Sequence, residues 1–180
     1  MEEKKGLIIV HTGDGKGKTT AALGLALRAW GDGLRVLILQ FIKGGWNYGE
    51  LAAMDALGRL SDGRIEVRQM GLGFTKRGER TSAEHQEAAR QAVSEAEAEM
   101  ESGDWDLLIL DEINYAVSFG LISEETLLAL VERKPPMLHL VLTGRDAKPS
   151  LIEHADLVTE MKLIKHPYQH GIKAQKGIEF

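Results

Sequence analysis

The chain contains no cysteine, which excludes disulfides, thiolate metal centres and a cysteine nucleophile, and fits a reducing compartment. It has no apolar run near the roughly 20 residues needed to cross a bilayer. The opening Met1-Glu2-Glu3-Lys4-Lys5 leads into only a short apolar stretch, unlike an export signal, so a soluble, cytoplasmic protein without membrane association is expected. A basic excess is also missing. Twenty-two Lys and Arg face 27 Asp and Glu, a net charge of −5, which argues against a broad nucleic-acid-binding surface. There is no Ser/His/Asp or Cys/His arrangement for nucleophilic catalysis, and no Asn-Lys-x-Asp sequence of the kind that reads guanine. His11, His85, His139, His154, His166 and His170 show no tight metal-ligand spacing. His166 and His170 stand four apart, but Pro167 argues against an intact helix there, and no protein-built zinc site is expected.

What is present is 180 residues, 43% of them hydrophobic, enough for one globular domain, 1–180, with a core of its own. Short apolar runs at Leu7 to His11, Leu34 to Gln40, Arg64 to Gln69, Leu107 to Leu110 and Met137 to Leu142 alternate with helical patterns. Strands apolar throughout are buried on both faces, so the rhythm predicts a mostly parallel central sheet with helices on both sides. Helices are predicted over Thr19 to Trp30, Tyr48 to Leu60, Ala83 to Ser102 and Glu124 to Glu132. The third starts at a Thr81 or Ser82 cap and stops at Gly103. Its Glu-rich face reads as solvated, and His139, inside an apolar strand, as a hydrogen-bonded core residue. The tail from Lys165 to Phe180 has no clear architecture.

Two motifs carry chemistry. Thr12-Gly13-Asp14-Gly15-Lys16-Gly17-Lys18-Thr19-Thr20 lies between the first strand and the first helix. Such a loop turns backbone N–H groups toward a polyphosphate, the helix presents its positive end, Lys18 adds a mobile charge and Thr19 offers a hydroxyl to Mg²⁺. The spacing is a variant, since Thr12 stands where the standard pattern has Gly. The lesser alternative is a glycine-rich turn with solvated lysines, and the strand-to-helix setting lowers it further. The second motif, Leu107 to Leu110 followed by Asp111-Glu112, ends a buried strand in two carboxylates, where open α/β sheets bind ligands. Either acid could hold Mg²⁺ opposite Thr19, or both could cap the next helix. Together the motifs predict a three-layer α/β P-loop NTPase fold of RecA-like type.

Further segments narrow the reading. Gln40-Phe41-Ile42-Lys43-Gly44, Gly73-Phe74-Thr75, Thr143-Gly144-Arg145 and Gly171-Ile172-Lys173-Ala174-Gln175-Lys176-Gly177-Ile178, taken in order with the two motifs above, resemble the corrinoid adenosyltransferases of the CobA/CobO/BtuR type over nearly the whole chain. The resemblance implies transfer of the 5′-deoxyadenosyl group of ATP to the cobalt(I) of a corrinoid, either cobalamin or cobyrinic acid a,c-diamide, with release of triphosphate. It implies ATP as co-substrate, Mg²⁺, an electron-donating reductase and a homodimer. By position, Gly13, Asp14, Gly15, Lys16, Gly17, Lys18, Thr19 and Thr20 would hold the triphosphate. Lys16 and Lys18 would balance its growing charge, Thr19 and Glu112 would hold Mg²⁺, and Asp111 would be a supporting or alternate ligand. Arg145 would be a further phosphate contact; otherwise it reads as a surface ion pair beside Asp146. Phe74 would lie against the corrin and help exclude the lower axial ligand.

Two features depart from the family. Lys76 stands where relatives often have Trp, so Lys76 could face a corrin amide or a carboxylate, Trp46 or Tyr48 could supply the second aromatic wall, or the loop could simply differ. The chain also begins almost at its first strand, whereas many relatives carry a helical N-terminal extension, so closure over the substrate is expected to be looser. The competing readings are a generic P-loop ATPase or kinase, a nucleotide-dependent binding module that engages nucleic acid, and a corrinoid carrier that has lost catalysis.

Overall fold

The computed structural model describes residues 5–45, 47–73 and 81–179. Among these residues six parallel strands form one sheet in the order β3-β2-β4-β5-β1-β6. The strands are β1 (Ile8–Thr12), β2 (Val36–Gln40), β3 (Ile65–Gln69), β4 (Leu107–Asp111), β5 (His139–Thr143) and β6 (Leu157–Glu160). The helices are α1 (Lys18–Gly31), α2 (Gly49–Leu60), α3 (Ser82–Ser102), α4 (Ile113–Ser118), α5 (Glu124–Glu132) and α6 (Pro149–His154), followed by a 3₁₀ turn at Pro167–His170.

The two-residue period of a strand sorts the apolar runs between two helix layers. Val36, Ile38, Leu107, Ile109 and Val141 pack with Ala22, Leu23 and Ala26 of α1 and Met54 of α2. Leu37, Leu39, Leu108, Leu110, Leu140 and Leu142 face the other way, onto Ala89, Ala92 and Ala96 of α3 and Leu127 and Leu130 of α5. An alanine stripe forms most of the buried face of α3. Chain moves from β1 to β2 to β3 run toward one edge and place α1 and α2 on one face. The return through β4, β5 and β6 places the other helices opposite. A crevice therefore opens where the direction reverses, outside the carboxyl ends of the strands.

The five expected strands and four expected helices are present with small boundary shifts, and Thr81 is the α3 cap, with a reciprocal bond to Glu84. β6, α4 and α6 were not expected. The Glu-rich face of α3 is not merely solvated. Glu95 and Glu99 pair with Arg68 of β3, and Glu97 and Glu101 pair with Arg133 just after α5. His139 is half-buried, and its Nδ1 accepts from the Leu7 N–H at 3.2 Å.

Candidate nucleotide site

β1 delivers the phosphate loop to the crevice. Gly17 adopts φ 110° and serves as the N-cap of α1, so the helix begins at Lys18. The glycines at 13 and 15 have a steric cause. Gly13 and Gly15 run against the backbone that leaves β6, where added Cβ atoms would fall 2.5 and 2.7 Å from the Met161 carbonyl oxygen. The Gly15 N–H donates to that oxygen at 2.7 Å, and the Met161 N–H donates to the Thr12 carbonyl at 2.8 Å. One loop N–H is thus committed to the fold and not to the cradle. Thr12 is buried, and its Oγ1 accepts from the Ala147 N–H at 3.1 Å, joining the loop to the segment after β5.

Lys18 is 7% exposed, and its Nζ donates to the carbonyls of Gly13 at 2.6 Å and Gly15 at 2.7 Å. Burial pushes its ammonium below the ordinary lysine range, opposed first by the Glu112 carboxylate. Lys16 also lines the cavity and donates there to Glu179 Oε2 at 2.7 Å.

The acidic pair divides its tasks. Asp111, 1% exposed, accepts from Thr19 Oγ1 and Thr143 Oγ1 at 2.8 Å each on Oδ1. Its Oδ2 accepts from Gln40 Nε2 at 3.2 Å and lies 3.3 Å from Lys43 Nζ. The carboxylate therefore ties together α1, β2, β5 and the loop after β2. Glu112 stands at φ 64°, and its N–H donates to the same Thr143 hydroxyl at 2.9 Å. Although Glu112 occupies the N-cap position of α4, its side chain makes no cap bond, so the acids do not serve as a helix cap. Its carboxylate lines the cavity instead. Burial, followed by the Asp111 charge, pushes its carboxyl above the ordinary range, while Lys43, Lys18 and Arg145 oppose the shift.

The cavity holds about 550 Å³, within the usual range for a small-molecule site. It is lined by the loop from Gly15 to Thr20 and by Ile42, Lys43, Tyr48 and Gly73. The Lys43 ammonium sits 4.8 Å from the Tyr48 ring centroid, a cation–π distance. Arg145 lines this cavity and a second of about 390 Å³ beside Asp14, Glu160 and Lys162. Its Nε is 4.0 Å from Asp14 Oδ1, making Asp14, not Asp146, its nearest acidic partner among the ion pairs of the described residues. Thr20 also faces the cavity. Phe74, Lys76 and Trp46 lie outside the described residues.

Among the described residues no cluster of three or more His, Asp or Glu side chains could hold a metal unaided. The oxygen donors Thr19 and Glu112 share the cavity and suit a hard cation such as Mg²⁺, which keeps several waters and takes its remaining ligands from phosphate. Sequence reasoning assigned no role to Gln40, Lys43, Thr143 or Glu179. The first three sit at or just beyond strand ends, where sequence shows them only as motif letters; Glu179 carries no local signal.

The match to a family model, ATP:corrinoid adenosyltransferase BtuR/CobO/CobP, runs over residues 4–180. A corrinoid adenosyltransferase of Pseudomonas aeruginosa is 40% identical over 180 residues, covering 99% of this chain and 85% of that protein. One from Sinorhizobium sp is 43% identical over 179 residues, covering 99% and 82%. One from Escherichia coli (strain K12) is 35% identical over 179 residues, covering 99% and 88%. Among solved structures, a KaiC-like protein from Pyrococcus horikoshii superposes with a TM-score of 0.53 at 18% identity, covering 97% of this chain and 76% of that one. That likeness concerns the fold alone and agrees with a RecA-like sheet.

Proposed function

The chain belongs to the ATP:corrinoid adenosyltransferase family, and from that premise we propose that the cavity at the strand ends carries out the family's alkyl transfer with the residues placed above. In this reaction the cobalt(I) electron pair of the corrinoid forms a bond to C5′ of ATP. The C5′–O bond breaks, triphosphate leaves with the bonding electrons, and cobalt becomes formally +3. The metal of the substrate supplies the nucleophile, so the protein's work is alignment and stabilisation of the leaving group.

The feature that supports this reading best is one cavity holding a buried loop lysine, Lys18, beside a carboxylate, Glu112, whose backbone is tied through Thr143 to the Asp111 hub and to Thr19. The loop from Gly13 to Thr20 binds the triphosphate, with Lys16 and Lys18 meeting charge that builds on the departing oxygen. Arg145, at the mouth shared by both cavities, adds a guanidinium contact. Thr19 and Glu112 are the Mg²⁺ donors, and Asp111, whose oxygens are already engaged, positions Thr19. Bound there, Mg²⁺ would neutralise charge on the leaving triphosphate. To Phe74, which lies outside the described residues, the reading assigns the family role of keeping a lower ligand off cobalt, which would ease reduction of cobalt(II). A homodimer, a separate reductase and a cytoplasmic setting complete the reading.

The test is an anaerobic reaction of chemically reduced cobalamin with ATP and Mg²⁺, followed by the corrinoid spectrum and by phosphate analysis. A light-sensitive alkylated corrinoid together with triphosphate is the expected outcome. ADP and phosphate with no change at cobalt would instead indicate an ordinary ATPase.

A further inference from the structure

The segment after β6 is exposed over most of its length and ends in an ion pair with the phosphate loop. Met161 is bonded into the phosphate loop through Thr12 and Gly15. From Lys162 to Ile178 every residue but His166 is exposed. Among the described residues, the hydrogen bonds donated from 163 to 178 stay within 162–178: Ile164 to Lys162, Tyr168 and Gln169 to His166, His166 to Gln169, Gly171 to Tyr168, Ile172 to Pro167 and Ile178 to Gln175. Glu179 is different. Its N–H donates to the Gln175 carbonyl at 2.8 Å. Its carboxylate is 13% exposed, lines the nucleotide cavity and binds Lys16 across 163 positions of sequence.

A carboxylate on a phosphate-loop lysine stands where a phosphate oxygen belongs, and it brings a like charge into the cavity that has to accept a polyanion. The ammonium has further N–H donors, so Lys16 alone does not force a choice; the repulsion between Glu179 and the incoming phosphates does. We infer that Glu179 is an internal counter-ion of the phosphate loop, displaced when triphosphate binds, so that the segment 162–179 is a strap whose closure reports an empty loop. This rests on the triphosphate reading of the cavity.

The experiment compares wild type with Glu179→Gln, which keeps shape and removes charge. Binding of inorganic triphosphate with Mg²⁺ is measured by calorimetry, and amide exchange is followed over Gly171 to Ile178 with and without triphosphate. The pair is partly exposed, and such pairs have modest strength, so the variant should bind triphosphate about threefold more tightly or better. In wild type, triphosphate should speed exchange in the strap; in the variant, exchange should be fast beforehand and unresponsive. Equal or weaker binding by Glu179→Gln, or a strap that becomes more protected with triphosphate in wild type, would overturn the inference while leaving the phosphate site intact. Failure of both proteins to bind triphosphate would remove the cavity reading, and the strap with it.

Discussion

Replacing Thr143 with Val tests the hub on which the site is built. The Thr143 hydroxyl is fully buried, donates to Asp111 and accepts from the Glu112 N–H. Valine has nearly the same shape, so the change removes polarity without leaving a cavity. A hydrogen bond to a buried charge contributes about 1.5–3 kcal/mol, and a buried N–H left without a partner costs about 1–3 kcal/mol. The two together place the loss at about 3 kcal/mol or more. For a chain of this length that corresponds to a fall in Tm of about 6–12 °C. Urea denaturation of wild type, Thr143→Val and Thr143→Ser at neutral pH measures it, and Ser should recover most of the loss. Alkylation should fall with the Val variant as well, because Glu112 loses the anchor of its left-handed backbone. A Val variant within about 0.5 kcal/mol of wild type, the range of ordinary surface changes, would refute the hub. A Ser variant as unstable as Val would show that the methyl group matters and not the hydroxyl.

Four other outcomes are expected. Lys18→Ala should lower the alkylation rate constant by about 100-fold or more, as loss of a leaving-group contact does, while the denaturation curve shows the fold retained; wild-type turnover would remove Lys18 from the mechanism. Glu112→Gly should abolish Mg²⁺-dependent turnover yet leave urea stability within about 1 kcal/mol of wild type or above it, because a left-handed non-glycine residue carries strain of that order. Marked destabilisation would show that the Glu112 side chain supports the fold. Asp106, hydrogen-bonded by Arg35, has its carboxyl held below the ordinary range. Its contribution is therefore complete above the unfolded value of about 3.9 and is lost as pH falls through the lower folded value. The stability gap between wild type and Asp106→Asn, followed by denaturation, should be flat at neutral pH and close below that point; a gap that persists in strong acid would contradict the pairing. Phe74→Ala should impair turnover starting from cobalt(II) more than from prereduced cobalt(I), and equal losses by the two routes would remove its role against the axial ligand.

The parts of the molecule that were legible in sequence are those written in consecutive letters. Leu107 to Asp111 announced both a buried strand and a carboxylate at its end, and the glycine alternation announced an anion loop. The cause of that alternation was not legible, because Met161 comes from the far edge of the sheet. β6 escaped notice because its four residues, Leu157–Glu160, are exposed, so the hydropathy signal that marks a buried strand is weak there. The six-residue helices α4 and α6 are too short to show a helical period. The division of labour between Asp111 and Glu112 depends on Gln40, Lys43 and Thr143, which converge only because β2 and β5 flank β4. No local pattern could supply that order. Glu179 is a more distant case still, a contact across most of the chain.

The order of the strands also sets the order in which the site can form as the polypeptide is made. Leu7 and Ile8 are held by residues 132 and 148 positions later, and the loop that follows β1 is bolted to Met161. The phosphate loop is therefore made before the segments that hold it and fixed only after them, since those neighbours must be synthesised and their long loops closed first. A nascent chain halted before β6 would carry the whole Thr12 to Thr20 motif and have nowhere to put it.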